Sequence, residues 1–114
     1  MIKLTDYLAK IEHEVINSEV DINSVKLDSG YVSDLLSDVM GSAKEKMAWF
    51  TIMKHMNVIA VASMVDIPCI VFGKNTTLEQ AVIDKAVEEG IVLIKTPLSV
   101  FAAAGELYKL LHQD

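Results

Sequence analysis

The sequence predicts a single α/β domain over residues 1–114, built on a mainly parallel sheet with helices on both faces. The first observation behind this prediction is the β-α-β-α-β-α order of apolar runs and helical patterns in residues 46–111. The second is that the runs are apolar throughout, which is typical of parallel strands covered on both faces. The third is size, because 114 residues with 52% hydrophobic side chains suffice for one core. An N-terminal α/β extension completes the expected fold.

The regular part of the chain begins with a strand over Met47–Ile52, a run with the length of a buried strand. His55–Val65 is apolar nearly all round, which predicts a helix that is buried on more than one side. Its cover is either the N-terminal part of the chain or a second subunit. A second strand is expected over Pro68–Phe72, followed by a turn at Gly73–Thr76.

The remaining elements repeat this alternation. Thr77, with a glutamine three residues later, has the spacing of a capping box and predicts a helix that begins at the next residue. Gly90 supplies the C-terminal cap of that helix. A third strand over Ile91–Ile94 and a final helix over Pro97–Leu111 complete the β-α units.

The N-terminal extension has weaker patterns. Helical spacing of apolar residues runs from Leu4 to Ile11, and short strands are possible at Glu14–Ile16 and Val25–Leu27. Ser33–Met40 has the pattern of a capped helix, which the following glycine is expected to end.

Composition excludes several function classes. The chain carries a net charge of -6, and its ten basic residues are all lysines, so we expect no nucleic-acid partner. The longest charge-free stretch, His55–Val65, has eleven residues, whereas a membrane span needs about 20, and the N-terminus lacks the apolar stretch of a signal peptide. We therefore expect a cytoplasmic chain without a membrane partner. Cys69 is the single cysteine, and its place in an apolar run predicts a buried thiol.

The sequence lacks the residue patterns of a metal site and of a catalytic nucleophile. The three histidines are far apart in the sequence, and neither an H-x-x-x-H, a C-x-x-C nor a G-x-S-x-G motif occurs. Acidic pairs such as Asp34 and Asp38 are typical of solvated helix faces. The sequence thus predicts neither catalytic residues nor a metal, and no cofactor.

Small-ligand binding is the remaining site prediction. In open parallel sheets, ligands bind outside the carboxyl ends of the strands, and polar residues follow all three predicted strands of the regular part. These candidate ligand-binding residues are Lys54, His55, Asn57, Lys74, Asn75, Thr76, Thr96 and Ser99. Ordinary polar loops at a sheet edge would have the same composition, so both interpretations stay open here.

The segment Gly73–Thr77 superficially resembles a phosphate-binding P-loop. That motif needs glycine at position 68 and serine or threonine at position 75, where this chain has Pro68 and Asn75. The segment is therefore either a plain capped β–α turn or a helix N-terminus that holds one anion weakly.

Five of the six methionines lie between Met40 and Met64. Methionine packs adaptably in cores and is over-used at interaction surfaces, so the cluster is either core or a subunit interface. The second interpretation predicts a homodimer through the candidate interface residues Met47, Trp49, Met53, Met56 and Met64.

Two phrases resemble a known family. The phrase Lys85–Phe101 reads KAVEEGIVLIKTPLSVF, and the order of elements from Ser42 to Leu111 is similar to that of the DRTGG domain family. The phrase Gly30–Met40, GYVSDLLSDVM, is similar to a short, stand-alone subgroup, whose members are often labelled HPr-kinase-like serine kinases. The resemblance covers nearly the whole chain.

This resemblance implies a regulatory module that senses a ligand of the class of a nucleotide or small phosphorylated metabolite. DRTGG domains occur beside phosphotransacetylase and CBS-domain pyrophosphatase units, and they resemble the N-terminal domain of HPr kinase. The short subgroup tends to be encoded beside iron hydrogenase and histidine-kinase-like genes, which implies a link to hydrogenase or carbon-metabolism regulation. The alternative is a homodimeric scaffold that docks onto a protein partner without a small ligand.

The chain departs from the family at its signature. The Asp-Arg-Thr-Gly-Gly segment corresponds here to about Lys54–Val58, which has neither arginine nor glycine. HPr kinase activity belongs to a separate P-loop domain, so the resemblance implies no phosphotransfer, and we expect a protein that is not an enzyme.

Overall fold

The structure of the protein, a computed structural model, describes residues 1–113. Within that range the strands are β1 (Ile2–Lys3), β2 (Glu14–Val15), β3 (Lys26–Leu27), β4 (Ser29–Val32), β5 (Met47–Thr51), β6 (Cys69–Phe72) and β7 (Val92–Lys95). The α-helices are α1 (Leu4–Leu8), α2 (Leu36–Ser42), α3 (Met56–Met64), α4 (Gln80–Glu89) and α5 (Val100–Leu111).

Five of these strands form one sheet in the order β2-β7-β6-β5-β4, and β1 pairs with β3 in a small antiparallel ribbon. Strands β4 to β7 are mutually parallel, while β2 joins β7 antiparallel. The predicted α/β class with a mainly parallel sheet is therefore confirmed. Because each parallel strand lies beside its predecessor, the chain moves across the sheet in one direction from β4 to β7.

Helices cover both faces of this sheet, as predicted. The crossover helices α2, α3 and α4 pack on one face, where the core contains Trp49, Ile70 and Leu93. Helices α1 and α5 pack on the other face, where Phe50 and Val71 are buried. Successive strand residues point to opposite faces, so two buried faces require strands that are apolar at every position.

Two helix starts differ from the sequence prediction. Helix α4 begins at Gln80 with Glu79 as its N-cap, so the capping box predicted at Thr77 is wrong. The preceding turn uses more residues than expected, since Lys74 and its neighbour both adopt left-handed backbone angles. Helix α5 begins at Val100 rather than at the predicted proline.

The N-terminal extension contains a strand that the sequence analysis missed. Strand β4 extends the parallel sheet at its edge, pairing with β5, and α2 then runs through Gly41 instead of ending there. A Cβ atom on Gly30 would lie 3.0 Å from Phe50 Cε2 and 3.1 Å from Leu107 Cδ2. The glycine therefore lets α5 pack directly on the edge strand.

Helix α3 is covered on its flanks by α2 and α4, so the N-terminal part of the chain supplies one side of the cover. Its outer side is open: Met56 is 41% exposed and Met64 is 64% exposed, with Ala60 exposed between them. Among residues 1–113, no helix has both the length and the apolar character that crossing a membrane requires.

Candidate functional site

The candidate ligand-binding residues lie in the loops after β5, β6 and β7, at one edge of the sheet. Lys54, His55 and Asn57 are exposed after β5, and Lys74 and Asn75 are exposed after β6. Because β4 to β7 follow one another in order, this part of the sheet has no point where the strand order reverses. The connections after β6 and β7 do leave to opposite faces, toward α4 and α5, which is where crevices open in such sheets. Here backbone hydrogen bonds between the two loops join them across that position.

Thr96 is not available to a ligand. It is fully buried, and its hydroxyl donates to the Glu12 carbonyl oxygen at 2.7 Å while accepting from the Leu98 amide at 3.3 Å. The side chain ties the β7–α5 loop to the segment before β2. Its prediction as a ligand-binding residue is corrected for this reason.

The hydroxyls of Thr76 and Ser99 also have local partners. Thr76 Oγ1 donates to the Gly73 carbonyl oxygen at 2.8 Å. Ser99 is the N-cap of α5, and its Oγ accepts from the Ala102 amide at 3.1 Å. Both side chains thus stabilise the loops in which they lie.

The turn after β6 does not form a phosphate cradle. The Lys74 amide donates to the Leu98 carbonyl oxygen and the Asn75 amide to the Thr96 carbonyl oxygen, each at 2.8 Å. A P-loop binds phosphate through free backbone amides of this kind. Here those amides join two loops, and the exposed Lys74 side chain is the cationic group that the turn offers to an anion.

The N-terminus of α3 has the electrostatic character of an anion site. His55 is its N-cap, yet in the described part of the chain neither this histidine nor another side chain caps the helix, and its first turn has no acidic residue. The first backbone N–H groups of a helix point outward without intrahelical partners and carry a partial positive charge. Lys54 adds a full charge beside them.

The acidic pair Asp34 and Asp38 has structural roles. Asp34 Oδ1 accepts from the Thr51 hydroxyl at 2.5 Å and from the Ile52 amide at 3.3 Å. Asp38 accepts from the Tyr31 hydroxyl at 2.8 Å. The bonds of Asp34 fix the loop after β4 against β5, and the bond of Asp38 joins α2 to β4. Asp34 is nevertheless exposed, so these roles are compatible with the expected solvated carboxylates.

Neither a metal cluster nor a reactive thiol appears in the described chain. No group of three or more histidine, cysteine, aspartate or glutamate side chains in residues 1–113 has the arrangement of a metal site. Cys69 is fully buried, and burial raises the pKa of its thiol to about 12, which keeps it protonated at neutral pH.

The candidate interface residues divide into three groups by burial. Trp49 is fully buried, and its Nε1 donates to the Ser33 carbonyl oxygen at 2.9 Å, so it offers no surface to a second subunit. Met47 and Met53 are half-buried against the core beside it. The exposed members are Met56 and Met64, both on α3.

A groove that sequence reasoning missed lies on the opposite face of the sheet. It has a volume of about 940 Å³ and lies between the edge strand β4 and helix α5. None of the eight candidate ligand-binding residues lines it. The helical spacing of Phe101 and Tyr108 indicates one wall of the groove in the sequence. The other wall is β4, which the sequence analysis did not predict.

Comparisons with known proteins give a similarity of fold to a solved structure. No family model matches the sequence, and a search of curated proteins found no match. Among solved structures, the chain is similar to a crystal structure of the CBS and DRTGG domains of the regulatory region of Clostridium perfringens pyrophosphatase, complexed with the activator diadenosine tetraphosphate. The TM-score is 0.65 at 13% sequence identity, and the match covers 92% of this chain and 45% of that chain.

At this level of identity, the similarity shows the fold. It supports a DRTGG-like α/β fold for nearly the whole chain, in agreement with the resemblance of the two sequence phrases. The chain spans less than half of a structure that contains two kinds of domain. Similarity to the N-terminal domain of HPr kinase stays a prediction.

Proposed function

We propose that the protein is a non-catalytic regulatory module, with a DRTGG-like fold, that binds a small anionic ligand. The ligand class is a nucleotide or a small phosphorylated metabolite, bound at the N-terminus of α3. The observation that carries this proposal is the uncapped start of that helix, with Lys54 beside it and Lys74 in the next loop of the same sheet edge.

Electrostatics favours an anion at this position. Within residues 1–113, the ion pairs of lysines involve Lys85 and Lys109, so neither Lys54 nor Lys74 is paired with a described carboxylate. A helix N-terminus contributes about 0.3–1 kcal/mol toward an exposed anion, and salt screens exposed lysines strongly. We therefore expect weak, salt-sensitive binding, with a dissociation constant on the order of 0.1–1 mM at low ionic strength.

The structural neighbour supports the regulatory part of the proposal. Its chain comes from the regulatory region of a pyrophosphatase and was crystallised with diadenosine tetraphosphate, an activator of that enzyme. A compound with two adenosines and a polyphosphate is therefore a well-chosen first probe for this chain. ATP and inorganic phosphate then separate binding of the base from binding of the phosphates.

The experiment is isothermal titration calorimetry of the full chain with diadenosine tetraphosphate, ATP and inorganic phosphate in 20 mM salt. The double variant Lys54→Ala/Lys74→Ala removes both charges, and we expect at least tenfold weaker binding. Lys26→Ala is the matched control, because Lys26 is equally exposed but lies on β3, away from this edge. No binding by the unmodified protein, or equal binding by the double variant, would contradict the proposal.

The second candidate function is a homodimeric scaffold. The specific observation in its favour is the exposed face of α3, where Met56, Ala60 and Met64 lie on one side of a helix without a charged residue. An apolar stripe of this kind is typical of a surface that another protein covers. A second copy covers it in this candidate, since the same stripe on two chains is self-complementary.

Light scattering at micromolar concentration tests the scaffold. A dimer that becomes monomeric in Met64→Lys, with unchanged thermal stability, supports this candidate. Thr77→Lys is the control, because Thr77 is exposed and lies outside the stripe. A monomeric unmodified protein would eliminate it.

A further inference from the structure

The groove between β4 and α5 exposes large apolar side chains on both of its walls. Phe101 is 88% exposed and Tyr108 is 66% exposed, and both line the groove from α5. Val32 lines it from β4 and is 55% exposed. The His112 ring stacks on Tyr108 with 4.0 Å between ring centroids, which holds that wall in place.

The strand that forms the floor of this groove has a free edge. Among the described strands, β4 pairs with β5 alone. Just past the end of β4, and in register with its pairing, the Ser33 amide donates to the Phe50 carbonyl oxygen on β5 at 3.4 Å. Backbone groups alternate in direction along a strand, so those of Gly30 and Val32 point away from β5. They form a row of donors and acceptors that an extended segment can pair with.

The charged side chains at the groove define what kind of segment fits. Asp28 and Asp34 line it at the two ends of β4, and no lysine of residues 1–113 is among the lining residues. Neither aspartate forms an ion pair with a described side chain. The bonds of Asp34 to Thr51 and Ile52 hold its charge at one end of the strand.

A second copy of this chain is a poor occupant for the same reason. If two β4 strands paired antiparallel about Tyr31, Asp28 of each copy would lie opposite Asp34 of the other. Like charges directly opposite each other destabilise a strand pair, and each chain already carries a net charge of -6. The charge pattern favours an occupant that is positively charged.

We propose that the groove binds an extended, basic segment of a partner protein, which adds a strand to the edge of β4. Alternate apolar side chains of the segment pack against Phe101 and Tyr108. Lysine or arginine side chains near its two ends pair with Asp28 and Asp34. This surface lies on the opposite face of the sheet from α3, so the inference goes beyond the anion site and does not depend on it.

The test is fluorescence anisotropy with a labelled peptide, Lys-Thr-Val-Thr-Val-Thr-Lys, titrated with the full chain. Two control peptides carry glutamate at both ends or N-methyl groups on alternate backbone amides. We expect micromolar to millimolar binding of the lysine peptide, at least fivefold weaker binding of each control, and weakening by salt. Hydrogen exchange at the Gly30 and Val32 amides, which face the free edge, should slow when the peptide binds.

Protein variants locate the peptide. Tyr108→Ala and Asp28→Lys should each weaken binding at least fivefold, and both side chains are exposed, so the variants are expected to fold. Met64→Ala, on the opposite face, should bind normally. Equal binding of the lysine and glutamate peptides, equal binding of the N-methylated peptide, or no effect of Tyr108→Ala would each overturn the proposal. So would slowed exchange at Gly30 and Val32 without peptide, because a second copy would then occupy the edge.

Discussion

Asn17 is a fully buried polar side chain that joins the edge strand β2 to the rest of the sheet. Its Nδ2 donates to the Ile91 carbonyl oxygen at 2.7 Å, and its Oδ1 accepts from the Leu93 amide at 2.8 Å. The side chain therefore continues the backbone pairing of β7 where β2 ends. Replacing it with alanine leaves a buried donor and a buried acceptor without partners.

The size of the effect follows from those two groups. Each buried backbone group without a partner costs about 1–3 kcal/mol. Since β2 lies at the sheet edge, water can enter part of the space, and we expect Asn17→Ala to lose about 2–4 kcal/mol of unfolding free energy. For a chain of this size, 1 kcal/mol corresponds to about 4 °C, so Tm should fall by about 8–16 °C.

Urea denaturation and calorimetry measure this loss. Asn17→Asp keeps an acceptor for the Leu93 amide but faces the Ile91 carbonyl oxygen with a carboxylate, so it should be at least as unstable as the alanine variant. Asn23→Ala changes an exposed asparagine and should stay within about 0.5 kcal/mol of the unmodified protein. A loss below about 0.5 kcal/mol for Asn17→Ala would refute the assigned role.

Three further predictions test the packing. Burial raises the pKa of the Cys69 thiol to about 12, from an ordinary value of 9.0. As pH rises, the unfolded chain therefore releases this proton before the folded chain does, and the unfolding free energy should fall between pH 9.0 and 12. Urea titrations across that range measure the fall. The same burial predicts that the native protein does not react with a disulfide reagent at pH 8, whereas the denatured protein reacts fully; rapid native labelling would contradict it. A Cβ on Gly73 would lie 2.9 Å from Val100 Cγ2 and 3.0 Å from the Val100 nitrogen, so Gly73→Ala should lower the unfolding free energy by about 1–3 kcal/mol. Gly41 lies within α2 with open space around it, so Gly41→Ala should raise the unfolding free energy by about 0.4–1 kcal/mol. Calorimetry measures both changes.

The parallel half of the fold was predictable because its signal is strong. Strands such as Cys69–Phe72 are buried at every position, and buried strands between helical patterns leave a continuous apolar run. Strand β4 has no such signal, because it is short, contains Gly30 and alternates between half-buried and exposed residues. This strand forms because it pairs with β5, and the local sequence pattern does not indicate that pairing.

The candidate site was predictable in outline only. Topology places Lys54 and Lys74 at one edge of the sheet, and the structure agrees with that placement. The burial of Thr96 was not predictable, since it depends on a hydrogen bond to Glu12, 84 residues away in the sequence. The same holds for Trp49, whose polar atom finds its partner in the loop after β4.

The central claim is that the start of α3 binds an anion, and an amide NMR titration with diadenosine tetraphosphate tests it most directly. We predict progressive shifts of the Met56 and Asn57 amides and of the loop at Lys74, which vanish in Lys54→Ala/Lys74→Ala. The amides along β4 should stay in place. Unchanged Met56 and Asn57 signals at millimolar ligand, or shifts confined to the β4–α5 groove, would contradict the claim.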